Sequence, residues 1–294
     1  MSKISVSNDF IEFNKNLKMA TSTLNDVRNR YKAITKRINK DFWNSDSEIT
    51  HSLYVGSYGR GTSIYTSDID IIVELPWSEY EKYDNYTWNG QSQLLQAVKR
   101  SLQKTYSSSQ ISGDGQVVVI DFYNGIKFEI VPSFKKSDGS YVYPDTNDGG
   151  GWRYMDPKFQ MDCFNLKNNL TNKNLKNLCR MLRAWNVNMN VCMNGILIDT
   201  IVYNFISSYE YADKSFEYYD WMSRYLFKYI YDNSGKEYWT MFGDGRRIYP
   251  EYKYTLGEKA KKAYELSLEA IEAYKNEYTY TWNSKWREIY GAKF

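Results

Sequence analysis

Residues 56–75 read GSYGRGTSIYTSDIDIIVEL, a glycine-rich turn that leads into a strand carrying Asp68 and Asp70 among isoleucines. Side chains two apart on a strand share a face, with their Cα atoms about 6.5–7 Å apart. Ile69, Ile71 and Val73 therefore suit a core, and the two aspartates share the opposite face. A charged face on an edge strand is the ordinary reading, because it discourages edge-to-edge aggregation. The other reading is a divalent-metal site, where hard carboxylate oxygens hold ions such as Mg²⁺ and substrate phosphates fill the remaining positions. The turn adds weight to the second. Gly56, Gly59 and Gly61 let backbone amides approach a polyphosphate closely, and Ser57 adds a short hydroxyl donor.

Composition narrows the chemistry. The 294 residues, 42% of them hydrophobic, can bury the core of one large domain or two intimate ones. A net charge of only +3 advertises no surface for duplex DNA. The opening residues lack the apolar run of a signal peptide and no 18-residue window is free of charge, which predicts a cytoplasmic protein that does not enter a membrane. The three cysteines are scattered, and the single histidine, His51, excludes any catalytic triad that does not use it. Any catalysis must rest on carboxylates, lysines and arginines, with or without a carboxylate-bound metal.

Outward from the opening stretch, Phe10, Phe13, Leu17, Ala20, Leu24, Val27, Tyr31, Ile34 and Ile38 keep a 3-4 spacing. That spacing predicts one amphipathic helix of roughly 30 residues, about 45 Å long, capped by Ser7 or Asn8. Strands are expected at 52–55 and 69–75, a helix at 91–105, and strands at 117–122 and 126–131 around Asn124-Gly125, a strong hairpin signal. A two-residue loop would pair Asp121 with Phe128 and set Glu129 opposite Ile120, so that only one of Asp121 and Glu129 could face the aspartates. The Gly-, Asp-, Ser- and Pro-rich segment 132–157 reads as a long loop. Helical periods follow at 162–170, 173–188, 199–209, 216–233 and 258–278, the last opened by a Thr255-x-x-Glu258 capping box. The division is a mixed α/β half at 1–157 with the N-terminal helix, and a helical half at 158–294. On the helix at 173–188, Lys173, Lys176, Arg180 and Arg183 form a basic stripe opposite Leu175, Leu178, Leu182 and Trp185. Such a stripe is either a solvated face or a phosphate contact.

A Gly-Ser turn followed at this spacing by Asp68-x-Asp70 resembles the signature of the DNA polymerase β-like nucleotidyltransferase superfamily. The segment 126–134, IKFEIVPSF, resembles the third-acid strand of its oligoadenylate synthase and cyclic-dinucleotide synthase branch, and so favours Glu129 over Asp121. Residues 178–185, LCRMLRAW, resemble a helix of the same branch and put Arg183 where that branch has a phosphate-binding lysine. Together with GSYGRGT and residues 149–157, these motifs resemble the bacterial cyclic GMP–AMP synthase/DncV-like nucleotidyltransferases (CD-NTases) of antiphage signalling.

The resemblance implies an α+β, two-lobed polymerase β-like fold with a mixed-sheet catalytic lobe, a long N-terminal spine helix and an α-helical C-terminal lobe. It implies Asp68, Asp70 and Glu129 as catalytic, metal-holding residues for two Mg²⁺ ions, with Mn²⁺ as a substitute. Gly56, Ser57, Arg183, Lys176 and Arg180 would contact the nucleotide. Nucleoside triphosphates, ATP among them, would be joined with loss of pyrophosphate into a cyclic di- or trinucleotide by a monomer. A downstream effector of a CBASS-type antiviral system would sense the product. One departure is plain: Gly195-Ile196 stands where the branch carries a Ser-Tyr pair for phosphate and base. The alternatives are a nucleotidyltransferase acting on an RNA end or a protein, or an inactive nucleotide-binding regulator.

Overall fold

In the computed structural model, which describes residues 4–294, the N-terminal apolar stripe forms two helices instead of one. Helix α1 spans Val6–Asn16 and α2 spans Thr21–Phe42. Neither Ser7 nor Asn8 is the cap: the Ser5 hydroxyl accepts the Asn8 amide at 3.3 Å. The break falls where the Leu17 carbonyl accepts the Tyr65 amide at 3.0 Å, and Ala20 then lies in extended conformation. The stripe also divides between two cores. Phe10, Phe13 and Leu17 pack with Phe164, Trp185, Trp282 and Trp286, whereas Val27, Ile34 and Ile38 pack with Ile69, Ile71 and Val73.

Those cores belong to two units. One comprises residues 19–60 and 66–159, and the other comprises residues through 18, 61–65 and 160–294.

The first unit is built on a mixed sheet. Its strands are β1 (Ser52–Tyr54), β2 (Ile69–Glu74), β3 (Gln110–Asp114), β4 (Val117–Asp121), β5 (Lys127–Lys135), β6 (Tyr141–Asp145) and β7 (Gly151–Met155). The order is β1-β2-β5-β4-β3, with β6 pairing the far end of β5 and β7 pairing β6. Only the β2–β5 pair is parallel among these ladders. Period-two alternation turns Ile69, Ile71 and Val73 of β2, Val118 and Ile120 of β4, and Phe128 and Ile130 of β5 to one face. Helix α2 and a helix at Gly90–Gln103 cover that face with Val27, Ile34, Ile38, Leu94, Val98 and Leu102. The segment read as a long loop is instead the end of β5 and the β6–β7 hairpin.

The hairpin register also departs from expectation. Phe122 pairs across to Ile126, and the loop is three residues, Tyr123-Asn124-Gly125, closed by the Gly125 amide on the Phe122 carbonyl at 2.9 Å. Gly125 takes the positive φ (79°), and Asn124 does not. This is the three-residue pattern of a turn ending in a left-handed residue, not a two-residue type I′ turn. From α2, Asp26 accepts the Asn124 side-chain amide at 3.1 Å and Arg30 donates to its oxygen at 2.9 Å. The result is Asp121 opposite Lys127 and Val119 opposite Glu129. Asp121 and Glu129 therefore share a face, contrary to the two-residue reading.

In the second unit, helices at Pro157–Leu170, Asn174–Asn188, Gly195–Ser208, Tyr219–Asn233, Lys253–Lys275 and Thr279–Tyr290 surround an aromatic core with α1. Thr255 lies inside the helix that starts at Lys253, so its capping box is not used, and the helix at Thr279–Tyr290 has no counterpart in the sequence reading. Among the described residues no helix is long and apolar enough to cross a membrane.

Candidate active site

The parallel register of β2 and β5 sets Asp70 directly beside Glu129. Asp68 precedes Asp70 by two residues and shares its face, which is the side of the sheet away from the core. The three expected acids thus meet on one patch.

Asp70 is the most enclosed of them. Its main-chain carbonyl accepts the Val55 amide at 2.9 Å, and its carboxylate accepts the backbone N–H of Ser57. Gly56 has φ +58, and a Cβ there would lie 1.8 Å from Asp70 Oδ2. Only glycine tolerates both the left-handed backbone and that approach. The turn continues as a short helix, Gly56–Arg60, whose last side chain is buried and places its positive charge near Asp70. Burial, reinforced by Glu129 and Asp68 against the pull of Arg60, pushes the Asp70 carboxyl up to about 7. Burial also raises Asp68, with Lys127 opposing and Glu129 adding to the rise.

A lysine stands among the acids. Lys127 Nζ lies 2.7 Å from Glu129 Oε1 and 3.5 Å from Asp68 Oδ2. As the side chains stand, no group of three or more described His, Cys, Asp or Glu residues could hold a metal ion. The donor set nevertheless has the hard-oxygen chemistry that suits Mg²⁺, and Asp70 is a partly enclosed carboxylate with a second one, Glu129, directly beside it. Lys127 and Arg60 belong to this patch without being among the expected site residues, and Asp121, set aside as the rival to Glu129, joins it on the same face. Lys127, two before Glu129, was findable by strand period, and Asp121 by the correct hairpin register. Arg60 carried no signal.

The basic stripe lies in the other unit, and its residues have different surroundings. Lys173 is the residue before the helix, in a left-handed conformation. Lys176 Nζ donates to Asn165 Oδ1 at 2.7 Å, and lies 3.3 Å from where a Cβ on Gly61 would be. Burial, then the nearby Arg180 and Lys173, hold its ammonium below the usual range. Arg180 donates to the Gly61 carbonyl at 2.7 Å and to Asn177 Oδ1 at 2.6 Å. Arg183 is buried: it donates to Asp199 Oδ1 at 2.5 Å, to the Gly195 carbonyl at 3.1 Å and to the Cys179 carbonyl at 3.4 Å. Thr62 donates to the second oxygen of Asp199 at 3.0 Å. A buried ion pair is tolerated only when its remaining donors and acceptors are met in this way. His51 takes no part: its Nδ1 lies 2.8 Å from Asn39 Oδ1 and its ring stacks on Trp43.

Against known proteins, the family model for the Second Messenger Oligonucleotide or Dinucleotide Synthetase domain matches residues 4–168. No curated protein matches by sequence. Among solved structures, Vibrio cholerae DncV cyclic AMP-GMP synthase with a linear intermediate, 5′ pppA(3′,5′)pG, is similar at TM-score 0.74 and 13% identity, covering 100% of this chain and 97% of that one. E. coli MS115-1 CdnC with ATP gives TM-score 0.72 at 13% identity, over 98% of each chain. Rhodothermus marinus CdnE, a c-UMP-AMP synthase, gives TM-score 0.60 at 15% identity, over 88% of this chain and 96% of that one. At these identities the likeness establishes the fold, which is the α+β architecture expected.

Two predictions follow from the charges. A carboxyl raised in the folded state favours folding at low pH and loses that contribution as pH rises through its folded value, here about 7. Asp70→Asn should therefore melt higher than the wild type at pH 8 without metal, by a few °C or about 1–2 kcal/mol. The gain should shrink steadily between pH 7 and pH 4 in thermal scans. Asp199→Ala leaves Arg183 buried without its counter-charge and should cost about 3–5 kcal/mol in urea denaturation.

Proposed function

Because the chain belongs to the Second Messenger Oligonucleotide or Dinucleotide Synthetase family, whose model matches residues 4–168 of 294, we propose that Asp68, Asp70 and Glu129 are the catalytic centre of a template-independent nucleotidyltransferase. It joins nucleoside triphosphates with loss of pyrophosphate and closes the product into a cyclic di- or trinucleotide. The observation that carries this reading is the Asp70–Glu129 pair, with Asp68 on the same face and Gly56-Ser57 against Asp70. The DncV structure holding a linear intermediate supports a route in which joining precedes closure.

Two Mg²⁺ ions held by Asp68, Asp70 and Glu129, or Mn²⁺ in their place, would neutralise triphosphate charge and help ionise the attacking ribose hydroxyl. The chain's own residues supply the alignment. Gly56 permits the backbone to lie against Asp70, so the Ser57 amide fixes that carboxylate while the Ser57 side chain is assigned to phosphate. Arg60, behind Asp70, keeps a fixed positive charge under the acids. Glu129 accepts the hydrogen of the attacking hydroxyl, which its position beside Asp70 favours. In the helical unit, Lys176 and Arg180 are assigned to phosphate contact. Lys176 donates to the neutral Asn165 side chain, and Arg180 Nε has no hydrogen-bond partner among the described residues. The Arg183 guanidinium is engaged by Asp199 and two carbonyls, so its part is to brace the two helices that carry them, Asn174–Asn188 and Gly195–Ser208. The enzyme acts as a monomer in the cytoplasm, and its product is read by a separate effector in antiphage defence.

The test uses pure protein, Mg²⁺ and all four labelled nucleoside triphosphates. The expected product is small, resistant to phosphatase and formed with pyrophosphate release. Asp68→Asn with Asp70→Asn should lower release by at least about 10²–10³-fold with the fold retained by circular dichroism. Undiminished turnover in that variant, or label carried only on RNA or protein, would overturn the reading.

A further inference from the structure

Lys127 sits where a cation belongs. It lies two residues before Glu129 on β5, so strand period puts both side chains on the acidic face. In the parallel ladder Phe128 is beside Ile69, which brings Asp68 alongside Lys127 from β2, and in the antiparallel ladder Asp121 is beside Lys127 from β4. The ammonium is therefore flanked by acids on both neighbouring strands and has Glu129 ahead of it. It takes Glu129 Oε1 at 2.7 Å and approaches Asp68 Oδ2 at 3.5 Å.

An ammonium has three donors and no acceptor, and it binds the same carboxylate lone pairs that a metal ion needs. While Lys127 holds Glu129 and reaches toward Asp68, those oxygens face a cation that is not divalent. Among the described residues no three such side chains stand arranged to hold a metal ion, although the acids themselves are adjacent. The side chain is also partly open to solvent. It is 34% exposed, and its four-carbon stem rotates easily. Asp121, exposed and in register on the far strand, offers the displaced ammonium a second carboxylate.

We propose that Lys127 is a built-in competitor for the divalent-metal site: its ammonium occupies the Glu129 and Asp68 carboxylates without metal, and shifts toward Asp121 when metal ions enter. The inference rests on the reading of Asp68, Asp70 and Glu129 as metal ligands. Lys127 is on this account a positioning residue whose effect is on metal occupancy.

Mn²⁺ binding to the nucleotide-free full chain, followed by loss of the free ion's paramagnetic resonance signal, tests it without any turnover. Lys127→Met should bind Mn²⁺ about tenfold or more tightly than the wild type, the scale of removing one unit charge several ångströms from a divalent ion near a protein surface. Its metal-free melting temperature should fall, since the acids lose their counter-ion, and saturating Mn²⁺ should raise it by more than it raises the wild type. Lys127→Gln, polar and of similar length, should show the same tightening if the methionine variant folds poorly. Asp121→Asn should weaken binding in the wild type and have a smaller effect in the Lys127→Met background. If the wild type binds Mn²⁺ in a manner that Asp70→Asn abolishes, and both Lys127 variants bind no more tightly, the competition is overturned and the metal-site reading stands. If neither wild type nor Lys127 variants bind Mn²⁺, both are overturned.

Discussion

The parallel pairing of β2 with β5 is the constraint on which the acidic site depends. It places Asp70 and Glu129 at the same height on adjacent strands, about 5 Å apart by strand spacing. Two neighbouring carboxylates in one half-buried patch are unfavourable to a folded protein, and burial first, then the neighbouring Glu129, raises Asp70 to about 7. The arrangement persists because the opposite face of the same strands is apolar and fully packed. Ile69, Ile71, Val73, Phe128 and Ile130 are buried under α2 and the helix at Gly90–Gln103, and a one-residue slip would exchange that face for the acids. The core thus fixes the geometry that the charges alone would disperse.

Local compensation is unequal among the acids. Asp70 has the Ser57 amide and the nearby charge of Arg60, both rigidly placed by the turn and its short helix. Asp68 and Glu129 depend on one flexible ammonium. Gly56 makes the first compensation geometrically available, since a side chain there would occupy the position of the Asp70 carboxylate. The glycine that the sequence suggests for phosphate approach is in the fold first required for approach to Asp70.

The acids themselves were readable because strand period needs only neighbouring residues: Asp68, Asp70 and the isoleucines between them declare their faces unaided. What depends on distant partners was not readable. The 3-4 stripe runs through residues 17–20 without interruption, and the helix stops there because the Leu17 carbonyl is taken by the Tyr65 amide. Asn124-Gly125 favours a two-residue turn in isolation. Asp26 and Arg30 on α2 hold Asn124 in a three-residue loop instead, and that single step of register brings Asp121 to the face of Glu129. Segment 132–157 has the composition of a loop, yet Tyr141–Asp145 finds a partner in the extended end of β5.

The basic stripe reads the same on paper whether its charges meet water, phosphate or a buried acid, and the structure gives them different fates. Arg183 and Asp199 have side chains 6% and 0% exposed, with Thr62 and two carbonyls completing their hydrogen bonds. Removing either partner leaves a desolvated charge, so this pair cannot be exchanged for a ligand without a large penalty. Lys127, Asp68 and Glu129 are 34%, 48% and 29% exposed. Water can replace each partner as it leaves, so the free-energy difference between paired and parted states is small. The buried Arg183–Asp199 pair therefore holds the fold, and the half-exposed Lys127, Asp68 and Glu129 are charges a ligand can take over. That criterion separates Arg183 from the acidic patch, although all of these residues are charged and paired.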